Sequence, residues 1–272
     1  MAVQTTNLLL STNLLQNTNI LQQRNDLLVP VQAIPPSIPY TGTVAFVAVT
    51  PVGYGPEFGT GPVTTAPTNT TGADFITIAI TSFDAISTEL TVIDSFNNTW
   101  TPSAFSPDGG PTMSPLYYHC LNPRVGTGHT FTVTATTDGS LALAAIAFKG
   151  VISGAPENPL TGNTNSANLS ISNGNPKPLL ACTSPQTPAN VGDILVAAAG
   201  VAVNTSGWNV TSNGGYTIAA IFFPNPYVGI ALFYKIAVAG DVSGGTQPTF
   251  IYGRTGAPET IGATSVVGIY AK

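Results

Sequence analysis

The chain carries one pattern twice. Gly72-Ala73-Asp74-Phe75-Ile76-Thr77-Ile78-Ala79 is echoed by Val191-Gly192-Asp193-Ile194-Leu195-Val196-Ala197-Ala198, and the same markers follow each copy in the same order. A lone tryptophan comes next, Trp100 or Trp208, then an aromatic pair, Tyr117-Tyr118 or Phe233-Tyr234. A glycine cluster then leads into Thr130-Phe131 or Thr249-Phe250, and an apolar run closes each copy, Leu141 to Phe148 and Ile261 to Tyr270. The aspartates and the Thr-Phe phenylalanines are each 119 positions apart, the tryptophans 108. Such drift fits loop-length changes between two copies of one module. A sequence built this way is expected to fold as two related units.

The apolar and threonine-rich segments favour a pleated surface, and the 28 glycines and 23 prolines interrupt helices and mark turns. Strands are expected over 43–50, 74–81, 89–94, 115–120, 130–136 and 141–148 in the first copy. In the second they are expected over 168–172, 179–183, 193–201, 216–223, 229–238, 249–253 and 261–270. Thr130-Phe131-Thr132-Val133-Thr134 alternates as a half-buried strand should. The expected fold class is all-β: two tandem antiparallel β-sandwich modules, jelly-roll or immunoglobulin-like, preceded by an extended N-terminal arm. The expected boundaries are 1–40 for the arm and its Pro-rich linker, 41–152 for the first module and 153–272 for the second.

The arm has its own repeat. Thr6-Asn7-Leu8-Leu9, Thr12-Asn13-Leu14-Leu15, Thr18-Asn19-Ile20-Leu21 and Asn25-Asp26-Leu27-Leu28 place a polar pair before an apolar pair every six residues, stretching to seven at the last. Six matches neither a heptad nor the 3.6-residue turn, whereas an even period keeps equivalent residues on one side of a strand. Leucine and glutamine leave a helix open as the alternative. Leu8, Leu9, Leu14, Leu15, Ile20, Leu21, Leu27 and Leu28 have no domain of their own to enter, so they are assigned as an assembly arm that sits against neighbouring subunits.

Charge narrows the function. Asp, Glu, Lys and Arg make up 7% of the chain, against about 25% in an ordinary soluble domain. The net charge is −5 and the seven basic residues are scattered singly, which argues against nucleic acid. No apolar run reaches the ~20 residues that span a bilayer as a helix. The first residues lack the basic and unbroken apolar stretches of a secretory signal, so export by another route or by lysis is expected. Low like-charge repulsion suits a protein that packs against itself.

Reactive groups are few. His119 and Cys120 are adjacent on an expected strand and so point to opposite faces, which excludes a Cys-His pair. His129 reads as a turn or strand-start residue, and no Gly-x-Ser-x-Gly elbow occurs. Two cysteines and two histidines fall outside zinc spacings, and no calcium loop is present. Asp84, Glu89, Asp94 and Asp108 read as turn carboxylates, and Cys120 and Cys182 as two buried thiols rather than a bridge. The expectation is therefore no enzyme, no cofactor and no metal. Trp100 and Trp208 are expected in the cores, and Tyr54, Tyr216 and Tyr227, expected on loops, are the candidate glycan contacts.

At Asp193-Ile194-Leu195-Val196-Ala197, Trp208, Leu232-Phe233-Tyr234-Lys235-Ile236-Ala237 and Thr249-Phe250, the second copy resembles sandwich modules of bacterial surface proteins and of bacteriophage tail or head appendages. The first copy matches more loosely, with His119 where that pattern has lysine. The resemblance implies an exposed β-rich component of a virion or cell surface, with no activity carried over. The expected function is a structural component of a virion: a bacteriophage fibre, decoration or tail or head appendage protein. Its expected partners are itself, as a homo-oligomer, neighbouring structural proteins and a host-surface glycan. The alternative is an extracellular prokaryotic filament subunit or adhesin that binds glycans; a glycan-active enzyme is the third class weighed.

Overall fold

The run Leu141-Ala142-Leu143-Ala144-Ala145-Ile146-Ala147-Phe148 has no polar face, so as a strand it has to be covered on both sides. The fold, taken from a computed structural model, covers it that way. The structure describes residues 43–55, 61–83, 90–105, 113–136, 140–151, 154–157, 164–203, 207–223 and 227–272. The arm residues Leu8 to Leu28 lie outside these, as do Asp84, Glu89 and Asp108.

In the first half the strands are β1 (Ala45–Val49), β2 (Gly53–Tyr54), β3 (Val63–Thr64), β4 (Phe75–Phe83), β5 (Leu90–Asp94), β6 (Thr101–Phe105), β7 (Met113–Leu121), β8 (Phe131–Ala135) and β9 (Ser140–Lys149). The second half holds β10 (Thr164–Ile171), β11 (Lys177–Leu180), β12 (Ile194–Val203), β13 (Trp208–Ser212), β14 (Thr217–Phe222), β15 (Tyr227–Ile236), α1 (Ala239–Gly244), β16 (Thr249–Arg254) and β17 (Glu259–Tyr270). All the strand pairings are antiparallel.

Each half builds one large and one small sheet. The large sheets run β1-β9-β4-β7-β6, with β2 also on β9, and β10-β17-β12-β15-β14; the small ones run β3-β8-β5 and β11-β16-β13. With β2 set aside, the two halves use the same strand order. In each, the first strand pairs with the last, the second with the second-last and the third with the third-last.

Three hydrophobic clusters stack these sheets into four layers. One lies between the small and large sheets of the first half and contains Ile76, Ile78, Tyr118, Phe131, Val133, Leu141 and Leu143. Its counterpart in the second half contains Leu195, Ala197, Phe233, Phe250, Tyr252 and Ile269. The third joins the outer faces of the two large sheets, through Phe75, Tyr117, Ala144 and Phe148 on one side and Val196, Leu232, Val266 and Tyr270 on the other. Alternate residues of β9 therefore enter different clusters, Leu143 the first and Ala144 the third. β12 divides in the same way, which is why Ile194-Leu195-Val196-Ala197-Ala198-Ala199 shows no alternation. By contrast β8, in a small sheet with one open face, alternates buried and half-buried.

Polar groups between the large sheets are paired across them. The Tyr117 hydroxyl lies 3.0 Å from the Val196 carbonyl and 3.2 Å from that of Val266 and donates to them. Its ring leans on Gly268, where a Cβ would come within 3.2 Å of it. The Thr77 hydroxyl donates to the Tyr118 carbonyl and lies 3.2 Å from the Tyr270 hydroxyl. Burial pushes the Tyr117 phenol well above its ordinary pKa, so it stays a neutral donor.

Candidate functional site

The repeated aspartates close the ends of strands. Gly150 and Val151, just past β9, donate their backbone N–H groups to the Asp74 carboxylate at 2.6 and 3.0 Å. Lys272, just past β17, does the same to Asp193 at 3.1 Å, and Asn190 donates to its other oxygen at 2.6 Å. The preceding turns pass through Gly72 and Gly192 at φ of 87° and 99°, a conformation that disfavours any residue with a Cβ. The strongest motif of the repeat is thus a clamp between the third strand and the last.

Asp193 also faces a second carboxylate. Glu157, on the short segment that pairs with the end of β17 through Pro156 and Tyr270, accepts from the Ala189 N–H at 3.0 Å. Burial and then the nearby Asp193 carboxylate raise its pKa above the ordinary glutamate value. A carboxyl group whose pKa is raised by folding binds its proton more tightly in the folded chain. Its contribution is full in acid and declines as pH rises from about 4 through the raised value. Glu157→Gln, which keeps a neutral group there, is expected to melt progressively higher than wild type as pH rises over that window. Parallel thermal melts across pH check this.

The one array among the described residues that looks like a catalytic triad joins Thr70, His129 and Asp94. The Thr70 hydroxyl lies 2.8 Å from His129 Nδ1, and His129 Nε2 lies 3.5 Å from Asp94 Oδ1. Asp94 further accepts from the N–H groups of Phe96 at 2.7 Å and Asn98 at 3.3 Å, and from Trp100 Nε1 at 2.8 Å. Burial would raise the Asp94 pKa, but the contact with His129 and the bonds from Phe96 and Asn98 outweigh it and hold the carboxyl below its ordinary value.

A nucleophile has to reach substrate, and this array is closed. His129 is fully buried and Thr70 is 1% exposed. The imidazole is stacked on Phe131 and met edge-on by Phe96, at 4.2 and 4.7 Å between ring centroids. The Thr70 hydroxyl is engaged with both the carbonyl and the N–H of Gly126 at 3.3 Å. What this geometry does is tie the turn after β5, the entry to β8 and the loop before β4 into one knot. Asp94-Ser95-Phe96 carried a readable signal, an Asx turn in which the side chain accepts from the N–H two residues on. The partnership with Thr70 had none, because 59 residues separate Thr70 from His129.

The second half contains no histidine, so it cannot repeat this knot. Trp100 immediately precedes β6, whereas Trp208 opens β13, so the two tryptophans are not equivalent. The residue that immediately precedes β14, the counterpart of β6, is Tyr216. This corrects the expectation that the tryptophans share one position, and it explains their shorter spacing. Trp208 packs in its cluster with the Arg254 guanidinium 5.3 Å over the ring.

Tyr216 is likewise corrected as a glycan contact. It is buried within the core of the second half, and burial drives its pKa well up, so no ring face is offered to a sugar. Tyr54 is half-buried and packs on Phe222 at 6.0 Å, and Tyr227 is the first residue of β15. Tyr54 borders the cluster between the large sheets and Tyr216 belongs to another, so the structure does not bring these two together.

His119 and Cys120 point to opposite faces of β7, His119 against Phe75 and Tyr270. Burial lowers the His119 pKa. Both cysteines are free and buried, and burial first of all pushes Cys120 to about 11 and Cys182 to about 12. Neither is a thiolate near neutrality. The folded protein is expected to titrate no thiol with a disulfide reagent at about pH 8, and both after unfolding; rapid labelling before denaturant would contradict this.

No group of three or more His, Cys, Asp or Glu that could hold a metal occurs among the described residues. An open cleft of about 290 Å³ lies over the small sheet of the second half, lined by Ser172, Pro176, Asn209, Thr211 and Ile251 among others. No described helix is long and apolar enough to cross a membrane. No family model, no curated protein and no solved structure matches the chain.

Proposed function

We propose that the chain is a structural component of a virion, a bacteriophage fibre, decoration or tail or head appendage protein, that assembles through Leu8 to Leu28 and exposes its β modules. The observation that supports this best is the use made of its polar side chains. Asp74, Asp94, Asp193, Thr70 and His129 hold turns and strand ends, and the one triad-like array is sealed by aromatic rings. Each half is then a jelly-roll sandwich module, since pairing first strand with last and second with second-last is what a long folded hairpin gives when it rolls up. An immunoglobulin arrangement pairs its first two strands instead. Such a chain works by area and repetition rather than by chemistry.

The test is removal of residues 1–30. Full-length protein is expected to sediment as a homo-oligomer and the truncated chain as a monomer with an unchanged β-sheet spectrum. Unchanged assembly of the truncated chain would sink the proposal.

One observation favours the alternative, a surface adhesin or filament subunit. The cleft bounded by Asn209, Thr211 and Ile251, with Arg254 also in its lining, is open and sets polar side chains beside apolar ones, as a sugar requires. A glycan screen of the wild type against Asn209→Ala separates the two: binding lost in the variant supports the adhesin, and no binding by either counts against it.

A further inference from the structure

β14 ends the five-stranded sheet, and among the described residues it pairs only with β15. A strand in that position presents a row of unpaired N–H and C=O groups that proteins normally shield. Three other edges are blunted: β6 carries Pro102, β11 carries Lys177 and Pro178, and β10 carries Asn165 and Asn168. The edge strand β1 is also free of charge and proline, but its one exposed side chain, Phe46, is stacked on Tyr234. Thr217-Ile218-Ala219-Ala220-Ile221-Phe222 has no charge and no proline, only a bulge between Ile218 and Ala220. Its large side chains are open to solvent, Ile218 by 47%, Ile221 by 42% and Phe222 by 39%.

The register says which faces are apolar. Ile218 and Ile221 pair with Phe233 and Ala231, which belong to the core of the second half. Phe222 pairs with Ile230, which belongs to the cluster between the large sheets. The edge is therefore greasy on both of its faces. A simple alternating strand laid beside it would cover one face with apolar groups and leave the other under polar ones.

We propose that the free edge of β14 is the acceptor for the N-terminal arm of a neighbouring copy, which adds to the five-stranded sheet as an extra strand. This rests on the assembly role given above to Leu8 through Leu28. Leu8-Leu9, Leu14-Leu15, Ile20-Leu21 and Leu27-Leu28 are adjacent apolar pairs, and adjacent residues of a strand point to opposite faces. Each pair thus supplies one apolar side chain to each face of the edge, as β14 requires. The arm repeats every six residues, and β14 is six residues long. One unit spans about 20 Å at the strand rise of ~3.3 Å per residue, so a single unit covers the edge. Among residues 6–28 only Arg24 and Asp26 are charged, so no electrostatic match has to be found. Every copy offers one arm and one β14 edge, and exchange between equivalent copies leaves neither unused.

Two measurements on the full chain test this. In the first, Ile218→Lys combined with Ile221→Lys puts charge on two exposed positions of the edge. The apparent dissociation constant of the assembly, read by sedimentation at several concentrations, is expected to rise at least about tenfold. In the second, Leu15→Cys protein carrying one affinity tag is mixed with Thr217→Cys protein carrying another, then oxidised. A disulfide between differently tagged copies is expected.

The outcomes separate the edge from the arm. Assembly lost on removal of residues 1–30 but unaffected by the lysines, with no cross-link, overturns the edge and leaves the arm's role standing. Assembly that survives removal of residues 1–30 overturns both. Should the lysine variant fail to fold, the cross-link decides alone, because it leaves Ile218 and Ile221 in place. Absence of a disulfide between the two differently tagged proteins contradicts exchange.

Discussion

Tyr117→Ala is expected to lower the unfolding free energy by about 3–5 kcal/mol, the range for truncating a large aromatic in a core. Tyr117 is fully buried on β7 and reaches out of its own half to the Val196 and Val266 carbonyls. Its loss opens a cavity between the two large sheets and removes the donor to both carbonyls. Tyr117→Phe keeps the ring against Gly268 and removes only the hydroxyl, at about 1 kcal/mol.

The location of the damage is as informative as its size. Trp100 lies in the first half and Trp208 in the second, so single-tryptophan variants report each half separately in denaturant. Both reporters are expected to shift together by the same amount. A shift confined to Trp100 would mean that the halves unfold independently and that the sheet-to-sheet contact is weak.

Asp94→Ala is the second large effect, expected at about 2–4 kcal/mol. It strips the acceptor from Phe96, Asn98 and Trp100 and leaves the buried His129 without its carboxylate neighbour. The sign of its pH dependence follows from the lowered pKa. A carboxyl whose folded value lies below its unfolded value stabilises above the unfolded value of about 3.9 and loses that contribution as pH falls through the folded one. Asp94→Asn is therefore expected to flatten the acid side of the stability profile, the opposite trend to that of Glu157. Equal acid sensitivity of wild type and variant in urea titrations would contradict this.

Much of the all-β character was legible from the chain alone, because periodicity and turn residues act locally. The expected strand over 141–148 became Ser140–Lys149, and that over 249–253 became Thr249–Arg254. The shortest elements escaped: β2 and β3 have two residues each, too few for any period to register. β6 was hidden by Pro102, which an edge position tolerates.

The stacking of the large sheets also had a signal, the unbroken apolar runs of β9 and β12. Such runs state that both faces are covered without stating by what. Register was harder still. Measured against Asp74 and Asp193, β4 pairs Ile76 with Cys120 and β12 pairs Leu195 with Lys235. Cys120 rather than His119 is therefore the counterpart of Lys235, a one-residue slip that sequence spacing cannot detect. Tyr216 was misplaced on a loop because an aromatic near glycine fits a loop or a core until its neighbours are known, whereas Trp208 lies in a core as expected.

Labelling of native particles by electron microscopy tests the structural role most directly. An antibody raised against the folded protein, coupled to gold, is expected to mark regularly spaced positions on a virion. The same antibody should find little antigen free in the surrounding lysate. Antigen that is wholly free in solution, with no particle labelled, would contradict the account.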